Sequence, residues 1–158
     1  MTGPTIDRKN SRQDYETPWK LIWRIETKFN VRFDFDLAAS PRNARALNYF
    51  TEEDDSLSLE WPTYKTCWLN PPFKNIGKWA EKCYKNRFQS KIFFLTPASV
   101  GSNWFRDFVY QKAMVIVLNG RITFEGEKDP YPKDCMISIF GLPYDFKIWS
   151  WEKKMEIE

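Results

Sequence analysis

Apolar residues recur at helical intervals over residues 18–29 (PWKLIWRIETKF), placing Leu21, Ile22, Ile25 and Phe29 on one face. Thr17 is the expected N-cap of this helix and Pro18 its first residue. The pattern then changes to alternation over residues 31–37 (VRFDFDL), which predicts a strand. Residues 38–48 read as a loop leading into a short helix or turn, and residues 54–57 as a second loop. Residues 66–69 (TCWL) form a short buried strand that stops at Asn70-Pro71-Pro72-Phe73. Residues 76–87 are helical, with Ile76, Trp79, Ala80, Cys83 and Tyr84 on one side. A strand over residues 91–96 is broken by Pro97; a helix over 104–110 and a buried strand over 114–118 follow. Residues 120–125 are expected to pair with 136–140.

Strands alternating with helices predict an α/β, three-layer sandwich with a mostly parallel sheet and an antiparallel edge. The 158 residues are enough for one core. The reading is a flexible arm over residues 1–16 and a single domain over residues 17–158.

Composition narrows the chemistry. With 42% apolar and 28% charged residues, the chain is not of disordered type. It contains no histidine, which excludes a Ser-His-Asp triad, an imidazole base and any metal site that needs imidazole. Cys67, Cys83 and Cys135 are odd in number and far apart, so they are read as buried small hydrophobes, not as a disulfide framework or metal site. No apolar run approaches the roughly twenty residues of a membrane helix, and charges occupy the N-terminal region where a signal peptide would be apolar. A cytoplasmic protein without metal or membrane partner is expected. The net charge of +3 permits nucleic-acid binding without arguing for it.

The chemistry concentrates at residues 70–73. In open α/β sheets, ligands bind beyond the carboxyl ends of strands, where this tetrapeptide is expected. Asn70 offers a side-chain carbonyl acceptor. Pro71 and Pro72 lack N–H groups and fix φ, so the Pro71 carbonyl has a pre-set direction. Phe73 offers a flat face for stacking a base. Two acceptors would bind both hydrogens of an exocyclic amine and free its ring-delocalised lone pair for attack. An ordinary strand-ending turn is the competing reading, since these are common breaker residues.

Residues 15–18 (YETP), 35–40 (FDLAAS), Asn43, 49–57 with Trp61, 68–73 (WLNPPF), 95–97 (LTP), Trp104-Phe105 and 120–124 (GRITF) follow one another in a set order. In that order they resemble the phage-type DNA N-6-adenine methyltransferases, a Dam-like group within the class I S-adenosylmethionine-dependent methyltransferases. The resemblance implies a minimal Rossmann-like fold, S-adenosylmethionine as donor and N6 of a flipped adenine in double-stranded DNA as acceptor. It implies that Asn70, Pro71, Pro72 and Phe73 are catalytic. It places Thr17, Pro18, Asp36 and Asp55 around the cofactor. Many such enzymes have a glycine-rich turn after the first strand; here no glycine lies between Phe29 and Ile76, and Ala38, Ala39 and Ser40 are the small residues that let the cofactor approach.

A flipped base costs a few kcal/mol and needs phosphate contacts. Lys74, Asn103, Trp104 and Arg106 are the expected DNA contacts, with Trp104 equally suited to the core. Arg8, Lys9 and Arg12 on the arm and Lys78 are further candidates, whereas Lys82 and Lys85 read as a solvated face. A monomer or weak homodimer with weak sequence specificity is expected. The alternatives are methylation of another planar amine (cytosine N4 or a glutamine amide) and a non-catalytic DNA-binding or anti-restriction protein on the same fold.

Overall fold

The computed structural model describes residues 15–153. Arg8, Lys9 and Arg12 lie outside them. Helix α1 (Trp19–Phe29) carries the apolar stripe read from the sequence, and Leu21, Ile22 and Ile25 are buried. Asn30, in the left-handed conformation, ends it. The start differs from the expectation by one residue: Pro18 occupies the cap position, and no side chain caps the helix. The Thr17 hydroxyl is engaged elsewhere, by Asn70.

The described strands are β1 (Phe35–Asp36), β2 (Asn48–Tyr49), β3 (Thr66–Leu69), β4 (Lys91–Pro97), β5 (Met114–Leu118), β6 (Cys135–Phe140) and β7 (Asp145–Trp149). Helix α2 (Ile76–Lys85) follows β3 and helix α3 (Asn103–Phe108) follows β4. One sheet runs in the order β2-β1-β3-β4-β6-β5-β7. It is parallel except where β6 pairs with β4 and β5. This is the α/β sandwich that the alternating pattern predicts and the Rossmann-like architecture that the resemblance implies.

Both faces of the sheet are covered. On one, Phe93 and Leu95 of β4 and Ile137 and Ile139 of β6 pack with α1. On the other, Ile92, Phe94, Met136 and Phe140 pack with Trp79, Ala80 and Cys83 of α2 and Phe105 of α3. A strand buried on both faces reads as a continuous apolar run, as β4 and β6 do.

Four expectations are corrected. The antiparallel strand is not at the edge: β6 is wholly buried between β4 and β5, and the exposed β7, parallel to β5, forms the edge. Residues 120–125 do not pair with β6, because both sides of β6 are already taken. That segment folds over the sheet instead, burying Ile122 and Phe124 beside α1, and is held by Tyr131 N–H to the Ile122 carbonyl (2.7 Å) and Glu125 N–H to the Glu16 carbonyl (3.0 Å). The alternation over 31–37 yields a strand of only Phe35–Asp36, with Asp34 N–H and Leu37 N–H bonded to the carbonyls of Thr66 and Trp68 at either side. Pro97 does not break β4 but closes it opposite Cys135, beyond Phe94, the last residue facing β3.

Lys82 is not simply solvated. Its ammonium donates to the carbonyls of Ser56 (3.0 Å), Leu57 (2.9 Å) and Leu59, gathering the 3-10 turn Ser56–Ser58 onto α2. Burial holds its pKa below the usual lysine value. Lys82→Met keeps the aliphatic stem and removes the donors, so thermal denaturation is expected to show a loss of about 1–3 kcal/mol. An unchanged melting curve would mean that water replaces these contacts without cost.

Candidate active site

The chain leaves β1 for β2 on one side and later returns to β3 on the other. The carboxyl ends of β1 and β3 therefore flank a topological switch point, the place where open α/β sheets bind ligands. Asp36 ends β1 and Asn70 follows β3 directly. In register, Asp36 lies beside Trp68, two residues before Asn70.

Asn70 is the central feature. Its Nδ2 donates to the Tyr15 carbonyl (2.9 Å) and to Thr17 Oγ1 (3.0 Å). A backbone carbonyl only accepts, so this contact assigns the nitrogen and the oxygen of the amide. Its Oδ1 is buried and has no hydrogen-bond partner among the described residues. An unsatisfied buried acceptor is uncommon, costs free energy, and marks a place reserved for a donor. Pro71 is buried and Pro72 exposed at the corner.

Phe73 sits half-buried against an aromatic cluster. Its ring centroid is 5.7 Å from that of Tyr15 and 5.6 Å from that of Tyr131. Tyr15 stacks on Phe124 at 4.7 Å. Burial pushes the Tyr131 hydroxyl up to about 12, so it stays protonated at neutral pH. Tyr15 and Glu16, read from the sequence as the end of the arm, are thus packed into the domain.

Asp36 is 2% exposed. Its Oδ1 accepts from Ala38 N–H (3.2 Å) and its Oδ2 from Arg45 N–H (2.9 Å). Arg45, 7% exposed, donates through Nε to the Thr17 carbonyl (2.8 Å) and through Nη1 to the Asn43 carbonyl (2.8 Å). Its guanidinium lies 4.4 Å from the Trp19 ring centroid. Ser40 and Asn43 close the turn reciprocally, with Ser40 N–H donating to Asn43 Oδ1 (2.6 Å) and Asn43 N–H to Ser40 Oγ (3.2 Å). The positive-φ residues of the described chain are elsewhere, so the 38–47 loop is built without the backbone conformation that favours glycine. Ala38, Ala39 and Ser40 are half-buried and give this rim only short side chains. Short side chains beside hydroxyl and backbone carbonyl groups leave space and acceptors for a hydroxyl-bearing ligand. Asp55 lies farther along, exposed and in the left-handed conformation just before the 3-10 turn.

Of the expected DNA contacts, Lys74 is exposed beside Phe73, and Asn103 is exposed at the start of α3, following the carboxyl end of β4. Trp104 is half-buried against Phe94 and Phe105, both at 6.3 Å. Arg106 forms a fork with the adjacent Asp107 (2.8 and 3.3 Å). A surface hollow of about 390 Å³ lined by Trp61, Thr63, Lys82 and Gln89 lies near the amino end of β3, away from Asn70. Sequence reasoning missed Arg45, Tyr131 and the Tyr15 carbonyl; Arg45 lies only two residues beyond Asn43, which the sequence did single out.

The profile of the DNA N-6-adenine-methyltransferase (Dam) family matches residues 5–139. The chain is 28% identical over 148 residues to a DNA N-6-adenine-methyltransferase of Haemophilus phage HP1 (strain HP1c1), covering 89% of this chain and 85% of the relative. It is 25% identical over 131 residues to a DNA N-6-adenine-methyltransferase of Escherichia phage T1, covering 82% of this chain and 55% of the relative. The match spans the Asn-Pro-Pro-Phe corner and the loop after β1, and the chain belongs to the DNA N-6-adenine-methyltransferase (Dam) family.

Proposed function

We propose that the protein transfers a methyl group from S-adenosylmethionine to N6 of an adenine in double-stranded DNA. The observation that carries this reading is the buried Oδ1 of Asn70, without a partner among the described residues, in an amide whose nitrogen is already committed to two acceptors. When bound, the cofactor supplies a methyl group made electrophilic by its sulfonium.

The chain's own residues prepare the amine. Asn70 Oδ1 accepts one amine hydrogen, and the Pro71 carbonyl, directed by its proline ring, accepts the other. Holding both hydrogens favours tetrahedral nitrogen and frees the lone pair. Phe73 stacks on the base, and Tyr131 and Tyr15 brace Phe73. After transfer the nitrogen is cationic and acidic, so its proton is lost without a strong base, in keeping with a chain that has no histidine. Ala38, Ala39, Ser40, Pro18 and Asp55 border the cofactor in this reading. Asp36 shapes its loop by accepting from the Ala38 and Arg45 N–H groups.

The test incubates the wild-type chain with duplex DNA and labelled S-adenosylmethionine, then digests the DNA to nucleosides for mass spectrometry. N6-methyladenine is the expected product. N4-methylcytosine would shift the acceptor to another planar amine, and no transfer to DNA would sink the reading.

Lys74 and Asn103 are the strongest DNA contacts, since Trp104 is largely committed to packing and Arg106 to Asp107. Lys74→Ala is expected to weaken binding across sequences and to lower the slope of log affinity against log salt by about one unit. Fluorescence anisotropy at several salt concentrations checks this; an unchanged slope would remove Lys74 from the phosphate contacts.

A further inference from the structure

We propose that Thr17 is a positioning residue for the Asn70 amide, acting through its hydroxyl rather than as a cofactor ligand. The inference rests on the methyl-transfer reading above and assigns one more residue to that reaction.

Thr17 is 2% exposed, and its Oγ1 lies 3.0 Å from Asn70 Nδ2. The Tyr15 carbonyl lies 2.9 Å from the same nitrogen. The amide has two N–H hydrogens, and these are its two acceptors. A half-turn of the amide would face Oδ1 toward the Tyr15 carbonyl, acceptor against acceptor. It would also present the Asn70 NH2 to the substrate amine, donor against donor. The two bonds therefore select the one orientation that leaves Oδ1 for the substrate. They also draw electron density toward Oδ1, since donation from an amide nitrogen favours the resonance form with a negative oxygen.

Thr17 is itself held from both sides. Its carbonyl accepts from Arg45 Nε at 2.8 Å, and Arg45 is anchored by its backbone N–H on Asp36. Pro18, with its fixed φ, follows at the cap position of α1. The hydroxyl thus occupies a set place between the loop after β1 and the corner after β3.

Removing the hydroxyl leaves one amide hydrogen buried without an acceptor and one bond to orient the group. The expected consequence is a fall in kcat of about 10- to 100-fold, as small misplacements of reacting groups produce. KM for DNA and Kd for S-adenosylmethionine should stay within about twofold, because the lost interaction matters most in the transition state.

Steady-state transfer to duplex DNA is measured for wild type, Thr17→Val and Thr17→Ser, with S-adenosylmethionine affinity by calorimetry. A slow Thr17→Val with unchanged affinity, together with a Thr17→Ser near wild type, supports the proposal. Wild-type kcat in Thr17→Val overturns it. So does weakened cofactor affinity with kcat intact, or a Thr17→Ser as slow as Thr17→Val. Should Thr17→Val fail to fold, Thr17→Ala is read by the same criteria, and a folded Thr17→Ser slowed more than tenfold overturns the proposal alone. An inactive wild type would instead sink the methyl-transfer reading, so the two failures are distinguishable.

Discussion

Asn70→Ala is expected to lower the rate of methyl transfer by about 10³-fold, the scale seen when one preorganised hydrogen-bonding group is removed from a reacting centre. The substitution deletes the acceptor that no other described group uses. The Pro71 carbonyl then remains as the only acceptor in the proposed scheme, and one acceptor cannot hold both amine hydrogens out of the ring plane. Binding should survive, because DNA affinity comes largely from phosphate contacts. KM for DNA is therefore expected to change far less than kcat. The fold should also survive with a modest loss. Tyr15 O and Thr17 Oγ1 lose their shared donor, which costs about 1–3 kcal/mol. Single-turnover transfer and a denaturant melt on the same preparation check both parts. More than a tenth of wild-type activity in the folded variant would mean that the buried acceptor is not what activates the amine.

How much of this was legible in the sequence depended on where each signal resides. The strand Thr66–Leu69 and the Asn-Pro-Pro-Phe corner could be read because an apolar run ends in residues that cannot extend it. Met114–Leu118 is equally plain, as a run of apolar residues. Strand β2 carries no such mark: Asn48 and Tyr49 are two partly exposed residues whose strand character comes wholly from pairing with Phe35 and Asp36. Strand β7 drew no reading from the sequence at all. Phe146 and Ile148 alternate with Asp145 and Lys147 as a half-buried strand would, yet all four are exposed.

The position of β6 was hidden because chain order does not determine strand order when a connection doubles back. Its unbroken burial, residues CMISIF, was the available clue that it lies inside the sheet. At the site, residue types could be read but not their partners. Nothing in the letters shows that the Tyr15 backbone carbonyl orients Asn70, since every residue carries the same carbonyl. Asp36 was recognisable as an acidic strand end, but its burial and the two loop N–H groups it accepts were not. The missing glycine looked like a departure until the loop proved to need no positive φ.

Asp36 should also make the stability of the fold depend on pH in the direction opposite to an ordinary ion-paired carboxylate. Burial raises its pKa from 3.8 to about 7, against the opposing pull of the Arg45 and Ala38 N–H groups and the Arg45 charge. Between those two values the folded chain holds a proton that the unfolded chain has released. Stability from this group is therefore complete below about pH 4 and is lost as pH rises through about 7. The full swing corresponds to about 4 kcal/mol. That is a large share of the 5–15 kcal/mol typical of a domain. Neighbouring Cys67 does not confuse the window, because burial pushes its thiol up to about 12. Urea denaturation of wild type and Asp36→Asn from pH 4 to pH 8 isolates the effect. The variant has its own offset, since its amide nitrogen must face one of the two N–H donors, but it cannot titrate. The wild-type stability minus that of the variant should fall by about 4 kcal/mol across the series. A flat difference would show that the two N–H bonds and Arg45 offset desolvation and keep the carboxylate ionised throughout. A falling difference would instead place the cost of burying a charge at Asp36, the group that accepts from Arg45, the same residue that grips the Thr17 carbonyl.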